Sequence, residues 1–393
     1  MNNIKILLTN IVILYHIAMC VGVGDVLGLP TIEPKNPSSD WGFIILEVFT
    51  GLDEMYFMQL FFFISGFFVP RSFDKKGSVV FLQERIKRLG IPPVVYTFCI
   101  GPYVQTGLAN LFFDNLYTRN GADTFGQAIP LTNSGVTWFP EQLIFFGIIY
   151  VFACRKNWMP KMECPTVFGF FLISLMIGTV TGIIALFFPI WDEFFRTPLF
   201  FQNYFSYILF FFGGAIAQRN NWMDDIKAKR SRIAIYTWMI LASLFMVLFI
   251  LVIPILGYSI NPLVFTYDSS LLGFIWVFST KGPVLMGLSL GIIAFFMDYV
   301  NRSYWYTQFF SVSMYTAYII QPVVIACTVW FWVLVLKATN NLDVGSQDGT
   351  GTYSYTNGNL IVPGFIFVSM LTLIIIWPLS YGIRSIPGFS KVL

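Results

Sequence analysis

The sequence predicts an all-α polytopic membrane protein, a bundle of about ten spanning helices with both termini in the cytoplasm. Three observations lead to this fold class. The chain of 393 residues is 56% hydrophobic and 11% charged, whereas charged residues make up about a quarter of an average soluble protein. Its apolar residues gather in runs of roughly 20, the length needed to cross a bilayer. Its lysines and arginines are concentrated in alternate connections between these runs.

Ten apolar runs give the predicted spans. They leave only short connections, so we predict a single integral-membrane domain over residues 1–393. The first run lacks a basic N-terminal region and a small-residue cleavage signature, which favours a retained span over a signal peptide. The runs cover residues 4–24, 50–70, 91–113, 136–154, 165–189, 199–218, 233–257, 270–298, 306–337 and 359–383.

The basic residues predict the orientation of the bundle. If the N-terminus is cytoplasmic, all but five of the 23 lysine and arginine residues lie on the cytoplasmic side. Such a bias fixes membrane topology, so both termini are expected in the cytoplasm. The outer connections have loop compositions instead, with prolines between 30 and 37 and with Gly, Ser, Thr and Asn in 115–135 and 340–359. No internal repeat relates the two halves, which disfavours a transporter.

Composition also argues against binding of nucleic acid or metal ions. The formal charge of +3 is small and the basic residues are spread over short loops, so nucleic acid is not an expected partner. The five cysteines are scattered, without a CxxC pair or a nearby histidine, and we interpret them as packing residues. No metal site is therefore expected. The oligomeric state is not determined by the sequence.

The single histidine, His16, lies inside the first predicted span, where an ionisable side chain is costly and becomes a functional candidate. It follows Lys5 by eleven residues, which on a helix is about 16.5 Å of rise and a rotation about 20° from whole turns. The two side chains therefore share one helix face and would line one path through the membrane. The alternative is a buried histidine bonded to a backbone carbonyl, with Lys5 as an inner-leaflet anchor.

Three acidic residues could reach the depth of His16. Asp53 and Glu54 lie at the outer end of the second span, and Glu141 lies at the outer end of the fourth. A carboxylate bonded to one imidazole nitrogen holds the tautomer whose other nitrogen accepts a proton, as a general base requires. Glu141 is the preferred partner. An acid at the end of a span can instead be merely interfacial.

Lys281 lies near the middle of the eighth predicted span, directly before Gly282-Pro283. Proline removes a backbone hydrogen bond there and is expected to kink or break the helix. A charged amine at such a break faces a cavity or an acid. Two interpretations remain open, a role in substrate binding and a structural pairing with one of the three carboxylates.

The inner connection after the second span contains Arg85 and Arg88, three residues apart. On a short helix the two residues project from one face, and paired guanidinium groups suit phosphate. This pattern favours a phosphate-rich cytoplasmic ligand. The alternative is binding of lipid headgroups, which basic inner loops provide in many membrane proteins.

Taken together, these residues resemble acyltransferase family 3, whose members include O-acetyltransferases of surface polysaccharides and the succinyltransferase of periplasmic glucans. The first span of that family carries a basic residue, ten intervening residues and a histidine, as Lys5 and His16 do here. Its first long cytoplasmic loop carries an R-x-x-R pair, matched by Arg85 and Arg88.

Further segments resemble the family in the same order along the chain. These are Ser65-Gly66-Phe67 at the end of the second span, Trp138-Phe139-Pro140-Glu141, Tyr315-Thr-Ala-Tyr318-Ile-Ile-Gln321-Pro322 and Ile386-Pro387-Gly388. Two positions depart from the pattern. Gln321 stands where relatives often have a second histidine, so an amide takes that role or the role is absent. Lys281 stands where an acidic residue is expected, which puts the acceptor specificity in doubt.

The resemblance implies a reaction and its participants. The donor would be cytoplasmic acyl-coenzyme A of the acetyl or succinyl class, and the acceptor a hydroxyl of a carbohydrate or lipid-linked glycan at a plasma or inner membrane. Lys5, Arg85 and Arg88 would bind the coenzyme. His16 would act as general base, the preferred role, or as a transient acyl carrier, with Glu141 orienting the ring.

Six further residues are candidates for contacts with substrate, and Ser65 among them would stabilise the oxyanion. They are Asp53, Glu54, Ser65, Trp138, Lys281 and Gln321. Two other functions stay open. In a proton-coupled transporter or flippase, His16, Glu141 and Lys281 would form a relay. In an inactive relative, the same bundle would serve as a binding scaffold.

Overall fold

The described residues form two compact units. In this computed structural model the described residues are 2–24, 31–35, 40–101, 135–187, 201–226, 229–255, 275, 277–300, 302, 304–347 and 350–392. Unit 1 comprises Met1–Leu8, Gly51–Leu89 and Pro140–Tyr304. Unit 2 comprises Thr9–Thr50, Gly90–Phe139 and Trp305–Leu393.

Helices dominate both units and confirm the predicted all-α membrane bundle. In the part of the chain that is described, seven helical segments are long and apolar enough to cross a membrane. The helices are α1 (Asn2–Ala18), α2 (Trp41–Val95), α3 (Trp138–Arg155), α4 (Val167–Phe187), α5 (Phe201–Arg219), α6 (Trp222–Ile226), α7 (Lys229–Ile255), α8 (Leu285–Tyr299), α9 (Trp305–Ala338) and α10 (Ile361–Ser385). Every predicted span except 91–113 coincides with one of them, and most of that span lies outside the described residues. The number of ten spans stays a prediction.

Helix α2 is a long element that bends sharply at one glycine. At Gly77 the backbone has φ 73° and ψ 168°, a conformation that glycine adopts at little cost. The stretch after the bend exposes apolar side chains such as Val79 and Ile86 beside the exposed Arg88. Apolar and basic side chains on one short helix are typical of a segment at the membrane interface.

Close contacts between backbones hold the helices of unit 1 together. A Cβ atom on Gly66 of α2 would lie 1.9 Å from the carbonyl oxygen of Phe211 on α5. A Cβ atom on Gly214 of α5 would lie 2.0 Å from the carbonyl oxygen of Phe63 on α2. Small residues at such crossings let membrane helices approach closely. The glycine of the Ser65-Gly66-Phe67 motif therefore has a packing role.

We expect Gly66→Ala to destabilise the protein by about 3 kcal/mol, because the added methyl group must push α2 and α5 apart. Gly213→Ala is the matched control. A Cβ atom there has no neighbouring atom within 4 Å, and alanine favours a helix over glycine by about 1 kcal/mol. The thermal unfolding midpoint in detergent should fall for Gly66→Ala and stay or rise for Gly213→Ala. Equal midpoints for the two variants would contradict the close packing of α2 and α5.

Unit 2 is built around α9 and α10, with the residues of α1 from Thr9 onward packed against them. The hydroxyls of Thr328 on α9 and Thr372 on α10 lie 2.8 Å apart in the buried contact between the two helices. On α10, Trp377 donates its indole N–H to the side-chain oxygen of Asn10 on α1 at 3.1 Å. Polar side chains inside this apolar core are thus bonded to one another across helices, as membrane bundles require.

A small sheet in unit 2 differs from the loops that the composition predicted there. Strand β3 (Thr350–Tyr355) pairs in parallel with β1 (Ile32–Pro34) and antiparallel with β2 (Leu342–Gln347). Tyr353 and Tyr355, two residues apart on β3, are both buried, and Trp332 donates a hydrogen bond to the Tyr355 hydroxyl at 3.1 Å. The prediction of loops was wrong here because the alternation of buried and exposed side chains that marks a strand is short and lies among Gly, Ser and Thr.

An ion pair joins the edges of this sheet. The ammonium group of Lys35, next to β1, lies 2.6 Å from a carboxylate oxygen of Asp343 on β2. The hydrogen bond from Lys35 and its charge lower the pKa of the Asp343 carboxyl group. Because both side chains are well exposed to solvent, the pair adds little to stability.

Candidate active site

The imidazole of His16 belongs to unit 2 and lies in the last turn of α1. The residue is partly exposed, whereas its Nδ1 atom is buried and has no hydrogen-bond partner among the described residues. The side chain of Gln321 on α9 lies near enough to interact with the ring. Tyr15 packs edge-on against the imidazole, with the ring centroids 5.5 Å apart. The sequence identified Gln321 as a departure from a family pattern but did not predict this proximity.

Gln321 is fully buried in α9. Within the described part of unit 2, neither its amide nitrogen nor its carbonyl oxygen has a hydrogen bond of normal geometry. Leaving a buried polar group unpaired costs about 1–3 kcal/mol, so this amide calls for a physical explanation. An amide offers both donors and an acceptor and can bond to either tautomer of an imidazole. It can therefore orient the His16 ring, the task that the sequence assigned to a carboxylate.

Two of the sequence motifs meet in unit 2. Trp138 is buried at the start of α3, and the ring of the next residue, Phe139, packs against Tyr318 of α9 at a centroid distance of 6.2 Å. The Tyr318 hydroxyl donates a hydrogen bond of 2.5 Å to the carbonyl oxygen of Val136. The Trp-Phe segment is thus anchored on α9 one turn before Gln321.

Two other candidate residues belong to unit 1. Glu141 lies in the first turn of α3, is partly exposed and interacts with other groups. Its pairing with His16 stays a prediction. Ser65 is partly buried on α2, directly before the glycine that packs against α5. The oxyanion role of Ser65 also stays a prediction.

Lys5 is held by α2 within unit 1. Its ammonium group lies 3.7 Å from the ring centroid of Phe68, a cation–π contact. Two residues earlier, Asn3 donates side-chain hydrogen bonds to the carbonyl oxygens of Val300 at 2.5 Å and Arg302 at 2.9 Å. These contacts fix the beginning of α1, so the position of the Lys5 charge is well defined.

Arg85 and Arg88 have different surroundings, although both lie on α2 after the bend. The Nε–H of Arg85 donates a hydrogen bond to the carbonyl oxygen of Leu143 at 3.0 Å, and its guanidinium carbon lies 6.0 Å from the ring centroid of Phe211. A Cβ atom on Gly147 would lie 2.7 Å from the same Nε atom, so this glycine makes room for the side chain. Arg88 is exposed. One arginine is thus packed into unit 1 and the other is accessible to a ligand.

Sequence reasoning missed the role of Arg219 at the end of α5. Its guanidinium group donates hydrogen bonds to the Tyr150 hydroxyl at 2.8 Å and to a carboxylate oxygen of Asp74 at 3.0 Å. Tyr150 is fully buried in α3. Partners 69 and 145 residues apart give no local pattern in the sequence. We call this part of unit 1, with Arg85, Arg88 and Arg219, the arginine end.

Lys281 and Glu54 come together in unit 1. The Lys281 ammonium group donates a hydrogen bond to the backbone carbonyl oxygen of Glu54 at 3.1 Å, which brings the lysine next to the Glu54 residue. Lys281 lies in a π-helical segment, Thr280–Val284, that contains Pro283 and leads into α8. The expected irregularity at the proline is therefore present. The observed hydrogen bond goes to a backbone carbonyl, so the pairing of Lys281 with a carboxylate stays a prediction, as does its contact with substrate.

Further buried oxygen atoms lie on α2 within five residues of Glu54 and on α5, which a Gln59–Ser206 hydrogen bond joins to α2. We call these residues, together with Lys281 and Glu54, the polar cluster. The side-chain amide of Gln59 donates a hydrogen bond to the Ser206 hydroxyl at 3.3 Å. The Ser206 hydroxyl donates to the backbone carbonyl oxygen of Asn203 at 2.7 Å. Among the described residues, Asp53 Oδ2, Gln59 Oε1 and Asn203 Oδ1 are buried without a partner. All three are acceptors, so a molecule that presents hydroxyl or amine hydrogens would complement them.

The polar cluster and the arginine end lie at opposite ends of α5. Asn203 and Arg219 are sixteen residues apart on that helix, a rise of about 24 Å. That distance approaches the thickness of the hydrocarbon core of a bilayer. Unit 1 therefore carries one set of polar groups at each end of its spanning helices. Within the described residues, no group of three or more His, Cys, Asp or Glu side chains could hold a metal ion.

The family model Acyl_transf_3, described as an acyltransferase domain, matches residues 1–381. The match includes all the candidate residues. No curated protein and no solved structure matches the chain.

Proposed function

Because the chain belongs to acyltransferase family 3 and is an integral membrane acyltransferase, we propose that it transfers an acetyl- or succinyl-class group from cytoplasmic acyl-coenzyme A to a hydroxyl of a carbohydrate or lipid-linked glycan. The observation that carries this proposal is the partly exposed His16 beside the buried, unpaired amide of Gln321. An imidazole beside a neutral amide that can bond to one of its tautomers suits general base chemistry on a hydroxyl.

The orientation of the reaction follows from the charges. The arginine end carries Arg85, Arg88 and Arg219, and excess lysine and arginine mark the cytoplasmic side of a membrane protein. In the proposal this end faces the cytoplasm with both termini, and the polar cluster lies toward the outer side. A plasma or inner membrane fits a donor that is made in the cytoplasm.

At the arginine end, Arg88 binds the phosphates of the coenzyme, because its guanidinium group is accessible and can form paired hydrogen bonds with phosphate. Arg85 is fixed by Leu143 and an aromatic ring, and so it positions the helix that carries Arg88 while adding a nearby positive charge. Lys5 contributes a further positive charge at the start of α1.

In the reaction, His16 removes the proton of the acceptor hydroxyl while the hydroxyl oxygen attacks the thioester carbonyl carbon. The carbon–sulfur bond then breaks, and coenzyme A leaves as a thiol after taking up the proton. Gln321 holds the imidazole in the required tautomer, and Glu141 is a second candidate for that task. Ser65 is the candidate donor to the oxyanion.

At the other end of unit 1, the polar cluster binds the acceptor. The unpaired oxygens of Asp53, Gln59 and Asn203 accept hydrogen bonds from sugar hydroxyls, which supply the donors that these buried atoms lack. Lys281 and Glu54 keep the cluster in place through their mutual contact. Trp138, buried in unit 2, supports the segment that leads to Glu141.

A direct assay tests the function. The purified protein in liposomes is incubated with labelled acetyl- or succinyl-coenzyme A and a panel of glycans, and ester formation is followed by mass spectrometry. We expect an ester on at least one glycan with stoichiometric release of coenzyme A. Uptake of a solute without consumption of acyl-coenzyme A would instead identify a transporter. Binding of coenzyme A without turnover would identify an inactive scaffold.

Replacing Arg88 with glutamine should raise the KM for acyl-coenzyme A about tenfold with little change in kcat, because the contact is made equally in the ground and transition states. Lys87→Gln is the matched control, since Lys87 is the exposed neighbour on the same helix and has no assigned role. Steady-state kinetics with varied donor concentration measure the effect. The same KM in both variants would exclude Arg88 as a phosphate ligand.

A further inference from the structure

Unit 1 contains an apolar cavity of about 260 Å³ that the proposed reaction does not use. Its wall is formed by α4, α5 and α8, with Phe63 of α2 on one side and Trp222 of α6 near the arginine end. For comparison, an engineered cavity of roughly 150 Å³ accommodates a benzene ring. The space is therefore large enough for part of a hydrocarbon chain.

The cavity is elongated along the helices. On α4 the lining residues extend from Phe170 to Ile177, and on α8 from Met286 to Ile293, so the two ends lie seven positions apart in each case. Seven residues of α-helix rise about 10.5 Å. Ile177 and Ile293 are buried, with 1% and 2% of their surface exposed. An elongated apolar space between such walls fits a chain rather than a compact molecule.

One glycine leaves this space open without a packing reason. Gly213 of α5 lines the cavity, and a Cβ atom added to it would meet no atom within 4 Å. The adjacent Gly214 is required for the contact of α5 with α2. Glycine is among the least favourable residues in a helix. The glycine at position 213 does not allow closer helix packing. Its effect is instead to leave the cavity unfilled.

A polar atom in the wall indicates which kind of chain fits. Ser289 of α8 is buried and lines the cavity, and its hydroxyl has no hydrogen-bond partner in the described part of the protein. A hydroxyl in hydrocarbon surroundings gains most from an acceptor such as a carbonyl oxygen. The indole N–H of Trp222 is already bonded to the carbonyl oxygen of Met162 at 2.8 Å. Among the described residues that line this apolar cavity, Ser289 thus offers a free donor.

We propose that this cavity binds one acyl chain of a membrane glycerolipid, whose ester carbonyl oxygen accepts a hydrogen bond from Ser289. The lipid enters from the bilayer around unit 1, and its chain fills the space beside Gly213. The acyl chain supplies the packing contacts that the wall of an empty cavity lacks. The bound lipid is then a structural ligand, separate from the acyl donor.

Photocrosslinking tests the proposal. The full-length protein is reconstituted in vesicles of phosphatidylcholine that contain a small fraction of phosphatidylcholine with a diazirine in one acyl chain. After irradiation, mass spectrometry locates the adducts. Adducts on Ile177 and Ile293 report entry into the cavity. Adducts on Phe168, which is 68% exposed on α4, report ordinary contact with the bilayer.

We expect Gly213→Phe to reduce the adducts on Ile177 and Ile293 at least fivefold while those on Phe168 persist. Gly382→Phe is the matched control, because a Cβ atom at Gly382 on α10 also meets no atom within 4 Å. If the phenylalanine variant does not give a monodisperse protein, Gly213→Leu takes its place. Unchanged adducts in the filled variant, or adducts on Phe168 alone, would overturn the proposal.

A competition experiment separates the two sources of an acyl chain. Octanoyl-coenzyme A added in excess should leave the adducts on Ile177 and Ile293 unchanged if the occupant is a membrane lipid. Its displacement of the lipid label would assign the cavity to the acyl chain of the donor and so contradict the proposal. This result does not depend on turnover, so it is independent of the proposed catalytic function.

Discussion

Replacing His16 with alanine is expected to lower the rate of acyl transfer by about a thousandfold while the protein stays folded in the membrane. General base catalysis by a positioned side chain contributes roughly 10²–10⁴ to a rate, and no other histidine is present in the chain to substitute for it. The measurement is the initial rate of ester formation in liposomes at saturating donor. Transfer at the parental rate by His16→Ala would refute the mechanism.

Thr9→Val provides a matched control for this variant. Thr9 is a buried polar residue on α1 and the first residue of unit 2, and it has no assigned chemical role. Both variants should elute as monodisperse protein and retain similar thermal midpoints. If Thr9→Val lost activity to the same extent, damage to α1 rather than missing chemistry would explain the effect of His16→Ala.

The amide beside the imidazole gives a second test of the same site. Gln321→Leu should lower kcat about tenfold to a hundredfold without changing the KM for acyl-coenzyme A, because it removes only a group that orients the ring. Gln321→His restores the residue that relatives often carry and should keep most of the activity. Equal losses for the two substitutions would mean that the position serves packing alone.

The two chemical roles of His16 can also be separated. An acyl carrier would release one equivalent of coenzyme A per protein before any acceptor is added, whereas a general base would not. We expect no such burst in rapid-quench experiments. A stoichiometric burst that disappears in His16→Ala would assign the histidine as the carrier.

The sequence predicted most of the helices because their signal is local. A spanning helix is a continuous apolar run of about 20 residues, and the runs need no knowledge of their neighbours. The bend at Gly77 and the π-helical segment at Lys281 are different, since a glycine or proline marks a possible irregularity without defining its geometry. The short sheet was missed because two alternating tyrosines give too weak a pattern among small polar residues.

The candidate site was predictable only where its residues share one helix. Lys5 and His16 are related by helical periodicity alone, so their common face follows from their spacing. The proximity of His16 to Gln321, and that of Gln59 to Ser206, join distant parts of the chain. Such contacts depend on how the helices pack, and a single sequence carries no direct information about that packing.

Replacing Lys281 with methionine is expected to destabilise the protein by about 3 kcal/mol, because it leaves Glu54 without its compensating charge and the Glu54 carbonyl without its donor. Breaking a buried charge pair by removing one partner has a cost of this size, roughly 3–5 kcal/mol. Thermal or denaturant unfolding in detergent measures it. A loss below about 0.5 kcal/mol would mean that the contact does not contribute to stability.

The double variant Glu54→Gln with Lys281→Met separates the structural role of the pair from a role in binding. Removing both charges should recover more than half of the lost stability, since no buried charge is then left unpaired. If this stable double variant also regains acyl transfer, Lys281 serves the fold alone. If it stays at least tenfold impaired in the KM for the glycan acceptor, Lys281 or Glu54 contacts substrate. That outcome would support the polar cluster as the acceptor site, because a stable protein with an intact His16 would then fail only in acceptor binding.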